Sequence, residues 1–398
     1  MINHQDIIKR ATDNILSAIG PENVKLFLKM DELTGKTRDL LKPDLTFSAN
    51  GGVTYKELGP FGRCMRFNGS TGYLRQDPVT EATLGDGYTY LMDGSYKRAQ
   101  KMVAVSTKVG FATLKLIRVG NLPAATIRVS IYTDVAGVPG APVANGTSDV
   151  LACSAIGTAS SEDKGFSFSA PPSLQKNQQY WIVLEYVNNT GVDGANHVGW
   201  YVDTIFRYGQ PRSFYDGAVW STYAVNQAFG LWSDDLALDT DGSLILLAKL
   251  GILSPGGSHS YLAYSASMLG NSVLIRAETY GDVAFVFRDT GDRKIALYRW
   301  PAMFHCYGGT FSKSKSVGKG TLYYDGAIVS TVDGDGNTSI QRQAQPFSIG
   351  CAIPYYGPTE FANALIGPVI ITKNELSPEA MGVITSELLA LRKYRVAV

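Results

Sequence analysis

Strand-like runs separated by Gly, Pro and Asn turns fill almost the whole of this chain. The runs before residue 75 and after residue 236 read as two halves of one β-sandwich. In Val24-Lys25-Leu26-Phe27-Leu28-Lys29-Met30-Asp31, the residues Leu26, Leu28 and Met30 alternate at the period of a half-buried strand. Residues 61–70 form a second run that closes in Phe67-Asn68-Gly69-Ser70, where Gly removes the steric objection to positive φ. Residues 321–329 predict a hairpin whose Asp325-Gly326 suits a type I′ turn. Residues 347–350 and 361–371 add further strands, and Leu376-Ser377-Pro378-Glu379 opens a helix with Ser377 as N-cap and Pro378 at the first helical position.

Between these halves, residues 111–120, 126–134, 166–168 and 179–184 repeat the same pattern, with Val138-Pro139-Gly140 and Leu174 among them. The expected fold class is therefore all-β: two antiparallel β-sandwiches, one nested in the other, plus an N-terminal amphipathic helix and a short C-terminal helix. The expected division is a helix over 1–22, a discontinuous jelly roll over 23–75 and 236–398, and an inserted sandwich over 76–235. A chain of 398 residues is long enough for two ordinary cores. Its 42 Gly, 17 Pro and 22 Tyr, with only 18% charged residues, suit turn-rich β structure better than helices.

The first 20 residues break the β pattern. Ile7, Ile8, Ala11, Ile15 and Ile19 fall at helical spacing, and Gly20-Pro21 ends the run. So short a helix needs a surface for its stripe. That surface is either the chain's own sandwich or a neighbouring subunit, and the stripe is put forward as an assembly interface.

Chemical signals are sparse. A net charge of +1 gives no argument for nucleic acid or an anionic membrane. No window approaches a membrane span, and Asp6, Lys9, Arg10 and Asp13 interrupt any secretory-signal core. Cys64, Cys153, Cys306 and Cys351 lack metal or redox spacing and are expected as buried thiols. Of the four histidines, His197 and His259 are the ones a hydrolytic triad would need, and neither lies in a nucleophile motif. Asp333-Gly334-Asp335-Gly336-Asn337 and Asp239-Thr240-Asp241-Gly242 read as turns rather than calcium loops. No catalytic residue, metal or cofactor is expected. Binding, if it falls to aromatic rings, points to Tyr355 and Tyr356 in a Pro/Gly loop and to Trp220 and Tyr223 in the aromatic-rich stretch 200–232.

The flanking motifs, taken in order, resemble the laminin-G-like, concanavalin-A-like jelly rolls. They are the opening strand ending in Asp31, Phe67 to Ser70, Phe304-His305, Tyr323-Tyr324-Asp325-Gly326, Ile349-Gly350, Leu365-Ile366-Gly367-Pro368-Val369 and Leu376-Ser377-Pro378-Glu379. The middle segment resembles the choice-of-anchor sandwiches of bacterial surface and phage proteins. The resemblance implies a non-enzymatic virion structural protein of a tailed bacteriophage, a head decoration, fibre or tail component. It would be made in the host cytoplasm, attached to other virion proteins by its N-terminal helix, homo-oligomeric, and able to present lectin-like loops to host surface glycan or protein. A secreted bacterial glycan-binding module is the alternative, followed by a polysaccharide-degrading enzyme on a jelly roll.

Overall fold

The computed structural model describes residues 4–391 apart from 31–35, 43–44, 60–61, 69–70, 72, 77–79, 83–86, 92–95, 105–106, 204–210, 234–235, 237–240, 251–258, 268–269, 279–281, 289–291, 299–302, 313–314, 316–319, 334–346 and 352–361. Among the described residues the chain is all-β, with α1 at His4–Ile19 and α2 at Pro378–Ala390.

Among the described residues, four antiparallel sheets make up the β structure. The first, eight-stranded, runs Ala327–Val332, Gly320–Tyr324, His305–Phe311, Gly242–Leu250, Asn363–Thr372, Gly62–Asn68 and Thr54–Gly59, with Val24–Leu28 also paired to Asn363–Thr372. The second, also eight-stranded, runs Lys36–Arg38, Thr46–Asn50, Tyr73–Gln76, Ser348–Ile349, His259–Ser267, Gly270–Glu278, Asp282–Arg288 and Asp292–Tyr298. Both draw strands from either side of 80–232, whereas the two seven-stranded sheets draw theirs from 80–232 alone.

Each pair of sheets encloses an apolar cluster. Leu26, Phe67, Leu246 and Val369 of the first sheet meet Phe47, Leu74, Val273, Phe285 and Ile349 of the second. In the middle segment, Leu114, Leu116, Trp200 and Phe229 meet Val129, Ile131, Ile182 and Leu184. Each such side chain contributes about 1.5–3 kcal/mol on burial. Where the clusters adjoin, the buried Gln76 exchanges backbone and side-chain hydrogen bonds with Phe347 and reaches the carbonyl of Ser233 at 3.4 Å. The Arg75 guanidinium lies 5.2 Å from the Trp232 ring.

The first sheet is covered on both faces. Leu244, Leu246 and Ala248 enter the sandwich, while Ile245 and Leu247 join Phe27, Ile370, Met381, Ile384 and Leu388 on the opposite face. The same outer cluster holds Ile8, Ala11, Ile15 and Ile19, all buried, with the half-buried Ile7 packed against it. Thus α1 lies on the chain's own sandwich beside α2, and Asn14 Nδ2 donates to Glu387 Oε1 at 2.7 Å. Of the two surfaces open to the stripe, the chain's own sheet takes it. Docking to a neighbour through these five side chains would first require lifting α1 from that sheet. The helix surface left to solvent carries Asp6, Lys9, Arg10, Asp13 and Asn14.

The Asp325-Gly326 turn has φ of 47° and 83°, the two positive values that a type I′ turn demands. Asp325 also ties the hairpin to the neighbouring strand. Its Oδ2 lies 2.6 Å from His305 Nδ1, its Oδ1 accepts from the Cys306 N–H at 2.8 Å, and the His305 ring stacks on Tyr324 with centroids 4.8 Å apart. At α2, Ser377 Oγ accepts from the Ala380 N–H, as the capping pattern requires. All four cysteines are buried and unbridged. Burial pushes the Cys153 thiol up to about 12 and the Cys351 thiol up as well, which leaves both unreactive at neutral pH. No helix among the described residues is long and apolar enough to cross a membrane.

Truncating Ile15 to Ala is expected to lower unfolding free energy by about 3 kcal/mol through the cavity left between α1 and the sheet. Arg10→Ala on the exposed side should change it by about 0.5 kcal/mol or less. Denaturant unfolding of the two variants beside the parent checks the pair.

Candidate recognition site on an edge strand

One seven-stranded sheet runs Val138–Thr147, Thr126–Val135, Gln179–Asn188, Lys97–Val103, Arg212–Tyr215 and Trp220–Tyr223, with Leu151–Ala152 also paired to Thr126–Val135. Its two edge strands, Val138–Thr147 and Trp220–Tyr223, approach within 8 Å of each other between Cα atoms without sharing a ladder. The sheet therefore curls until its edges meet. The cause is local: pairing of the first two strands slips between Ser130 and Tyr132 and again between Tyr132 and Asp134. Such bulges bend and twist a strand. Pro139 and Pro142 are tolerated because this strand is an edge.

Residues on the concave side follow from the register. One cross-strand row reads Trp220, Tyr215, Lys97, Glu185, Arg128. The next reads Thr222, Ser213, Ala99, Val183, Ser130, and a third reads Lys101, Trp181, Tyr132. Ala99, Tyr132, Trp181 and Val183 form a small buried cluster with Trp220 packed against it. The charged groups among them are matched in place. Glu185 bonds Lys97 Nζ at 2.6 Å and Arg128 Nε at 2.9 Å. Asp134 Oδ1 takes Lys101 Nζ at 3.1 Å and the Trp181 indole N–H at 2.6 Å. Burial opposes the charge on Glu185, but Lys97 and Arg128 outweigh it and hold the carboxyl below its usual range. Burial likewise opposes the charge on Lys97, and Glu185 and Tyr132 outweigh it, so that amine titrates above ordinary lysine. This face is a preorganised, self-satisfied floor, and Trp220 with the ring of Tyr215 5.2 Å away forms its rim.

The other side of the same edge differs. Tyr223, Arg212 and Arg98 point away from the concave side, since Trp220 and Tyr223 sit at odd spacing in a period-two strand. Tyr223 is 47% exposed, with the Arg212 guanidinium 5.4 Å from its ring centroid. Arg98 lies 3.8 Å over Phe214, and Tyr96 stacks on the same Phe214 ring at 5.2 Å. The Nε and Nη1 atoms of both arginines are buried and have no hydrogen-bond partner among the described residues. Burial pushes the Arg98 guanidinium down to about 10, and the charge of Arg212 adds to the shift while Tyr223 and Tyr96 oppose it. Burial lowers Arg212 too.

Of the residues singled out by sequence, Trp220 and Tyr223 thus share one edge strand but serve opposite faces. Tyr355 and Tyr356 lie outside the described residues. Arg98 and Arg212 were not foreseen, because two arginines 114 positions apart carry no local signature and only the register places them side by side. The His305–Asp325 pair has the look of a catalytic dyad, yet Asp325 also holds the Cys306 N–H and His305 Nε2 is buried with no partner. Both residues anchor a turn. His197 is buried within its strand, and burial lowers its pKa. Among the described residues no cluster of three His, Cys, Asp or Glu could hold a metal ion. Asp241 accepts from Ser312 Oγ at 3.0 Å, while 239–240 and 334–337 lie outside the described residues.

No family model matches this chain, and no curated protein matches it. Among solved structures it is similar to a leech intramolecular trans-sialidase complexed with 2,7-anhydro-Neu5Ac, at 19% identity and a TM-score of 0.29, over 36% of this chain and 23% of that one. It is also similar to the Ruminococcus gnavus IT-sialidase CBM40 bound to alpha2,6 sialyllactose, at 13% identity and a TM-score of 0.31, over 37% of this chain and 84% of that one. A third is the botulinum neurotoxin serotype D ligand binding domain in complex with N-acetylneuraminic acid, at 11% identity and a TM-score of 0.31, over 38% of this chain and 37% of that one. The ligands named for those proteins are theirs. What this chain can bind is decided by its own side chains.

Glu185→Gln is expected to cost about 2 kcal/mol at pH 7, below the roughly 3–5 kcal/mol of a fully buried pair because Lys97 and Arg128 keep contact with water. A carboxyl held below its usual range stabilises the fold above the unfolded-state pKa, and that contribution is lost as pH falls through the folded value. The gap between parent and variant should therefore close below about pH 4. Thermal melts at pH 7 and pH 3 provide the comparison.

Proposed function

We propose that this chain is a non-enzymatic recognition protein that binds glycan at the edge strand Trp220–Tyr223. One observation carries the reading: a strand that has no ladder partner on its outer side among the described residues bears an aromatic ring on each face, Trp220 half-buried at the rim of the concave floor and Tyr223 exposed beside Arg212. Flat rings with polar neighbours stack on pyranose faces while adjacent donors bond the hydroxyls. The floor behind Trp220 fixes that ring's position before a ligand arrives, so little ordering entropy opposes binding. The exposed Val219, at 58%, extends the apolar strip at the strand's start.

A virion role for a tailed bacteriophage, with the protein placed on the particle to contact host glycan, belongs to the same proposal. Its attachment surface is then other than the α1 stripe, which the chain's own sheet occupies. The ordered motifs clamped at His305 and Asp325 favour a laminin-G-like jelly roll for the flanking segments. We further propose that 23–75 with 236–398 and 76–235 are separate folding units. Apart from Gln76, the last residue of the flanking-sheet strand Tyr73–Gln76, their strands pair only within each group among the described residues, and each group has its own apolar cluster.

Tyr223→Ala should weaken binding to any glycan identified on an array by about 10-fold, consistent with loss of one aromatic contact of roughly 1–1.5 kcal/mol. Its melting temperature should stay within about 2 °C of the parent, as befits an exposed site. Titration calorimetry with unchanged affinity would count against the edge-strand site. Replacing 76–235 with a short Gly/Ser linker should leave the flanking sandwich cooperatively folded, and an insoluble or non-cooperative product would count against two folding units.

A further inference from the structure

Arg98 and Arg212 sit on adjacent strands and on the same face. Arg98 is directly opposite Phe214, and Arg212 lies two residues along, a diagonal neighbour. The Arg98 guanidinium lies over Phe214 and that of Arg212 over Tyr223, and in both the Nε and Nη1 atoms lack acceptors. The contrast with the opposite face of the same sheet is direct. There Lys97, Arg128 and Lys101 each hold a carboxylate within hydrogen-bond or ion-pair distance. Here two like charges are neighbours, with no carboxylate paired to either among the described residues. Both arginines are half-buried and gain from the ring faces beneath them, but ring contacts do not supply the hydrogen-bond acceptors that a carboxylate would, and the two like charges repel. Two neighbouring guanidiniums with no carboxylate beside them among the described residues suit an anion as partner.

We infer that Arg98 and Arg212 form an anion subsite for the carboxylate of an acidic saccharide, with the exposed ring of Tyr223 beside the sugar. A guanidinium forms strong, charge-assisted hydrogen bonds to a carboxylate, and two neighbouring guanidiniums can share one. Tyr223 shares its four-residue strand with Trp220 but lies on the opposite face, so the anion subsite belongs to the Tyr223 side of the edge. This inference rests on the glycan-recognition reading and names the substrate class of that site.

The test uses the full chain and oligosaccharides carrying a hexuronate or a sialate, each beside its methyl ester, which keeps the ring and removes the charge. The acids should bind about 10-fold or more tighter than their esters, the range expected for charge-assisted hydrogen bonds. Arg98→Met and Arg212→Met should bring acid affinity down to that of the ester and leave ester affinity within about twofold. Without ligand, each variant should melt at or above the parent temperature, because it removes an uncompensated charge. A purely structural pair of arginines would instead lower it. Equal binding of acid and ester, with neutral sugars still bound, overturns the anion subsite and spares the recognition reading. If no sugar binds in either form, both fall. If inorganic sulfate or acetate protects the parent as well as the acidic sugars do, the site takes free anions and the saccharide assignment is overturned.

Discussion

A sheet with apolar side chains on both faces must be covered twice, and over the paired strands Gly242–Leu250 and Asn363–Thr372 the outer cover comes from helices near opposite ends of the chain. Inward, the sandwich supplies the cover. Outward, α1 and α2 supply it side by side. Everything else on the flanking segments is arranged around this arrangement: Val24–Leu28 completes the ladder on Asn363–Thr372, and His305–Phe311 extends it on the other side of Gly242–Leu250. The amphipathic stripe of α1 exists because that outer face would otherwise meet water.

The curled sheet of 80–232 solves a different problem. Bulges in Val138–Thr147 bend that edge of the sheet, and the concave face then needs polar groups that are matched as tightly as those of a core. Glu185 and Asp134 provide the matching, one from each of two paired strands. The result is a rigid support under Trp220, and rigidity in a supporting layer is what lets a rim of few residues recognise a ligand.

How far the sequence discloses this depends on whether a signal is local. The Asp325-Gly326 turn, the Ser377 cap and the alternation of Leu26 and Leu28 are set by neighbouring residues, and the structure has them where the pattern puts them. Gly242–Leu250 is not legible in the same way, because burial on both faces erases period two and leaves the plain apolar run Leu244 to Ala248. The stripe of α1 is legible as a stripe, but its partner is not, since one amphipathic pattern serves a sheet of the same chain or a neighbour equally well. Trp220 and Tyr223 are visible as aromatic residues in a strand-like stretch. That they face opposite ways, and that Arg98 and Arg212 gather behind one of them, depends on long-range register that no window of sequence contains.

The ladder between Val24–Leu28 and Asn363–Thr372 has a mechanical consequence. It pairs Val24 with Thr372 and Leu28 with Val369, so the chain enters and leaves it at the same end. A load applied between α1 and α2 peels this ladder one hydrogen bond at a time, a weak geometry, once the helices have parted. The sheets of 80–232 hang from the interior of that path, beyond Gln76 and Ser233, and carry no tension until the flanking sandwich has opened. Tethered by both ends, the molecule would yield at its base while its curled sheet kept its shape.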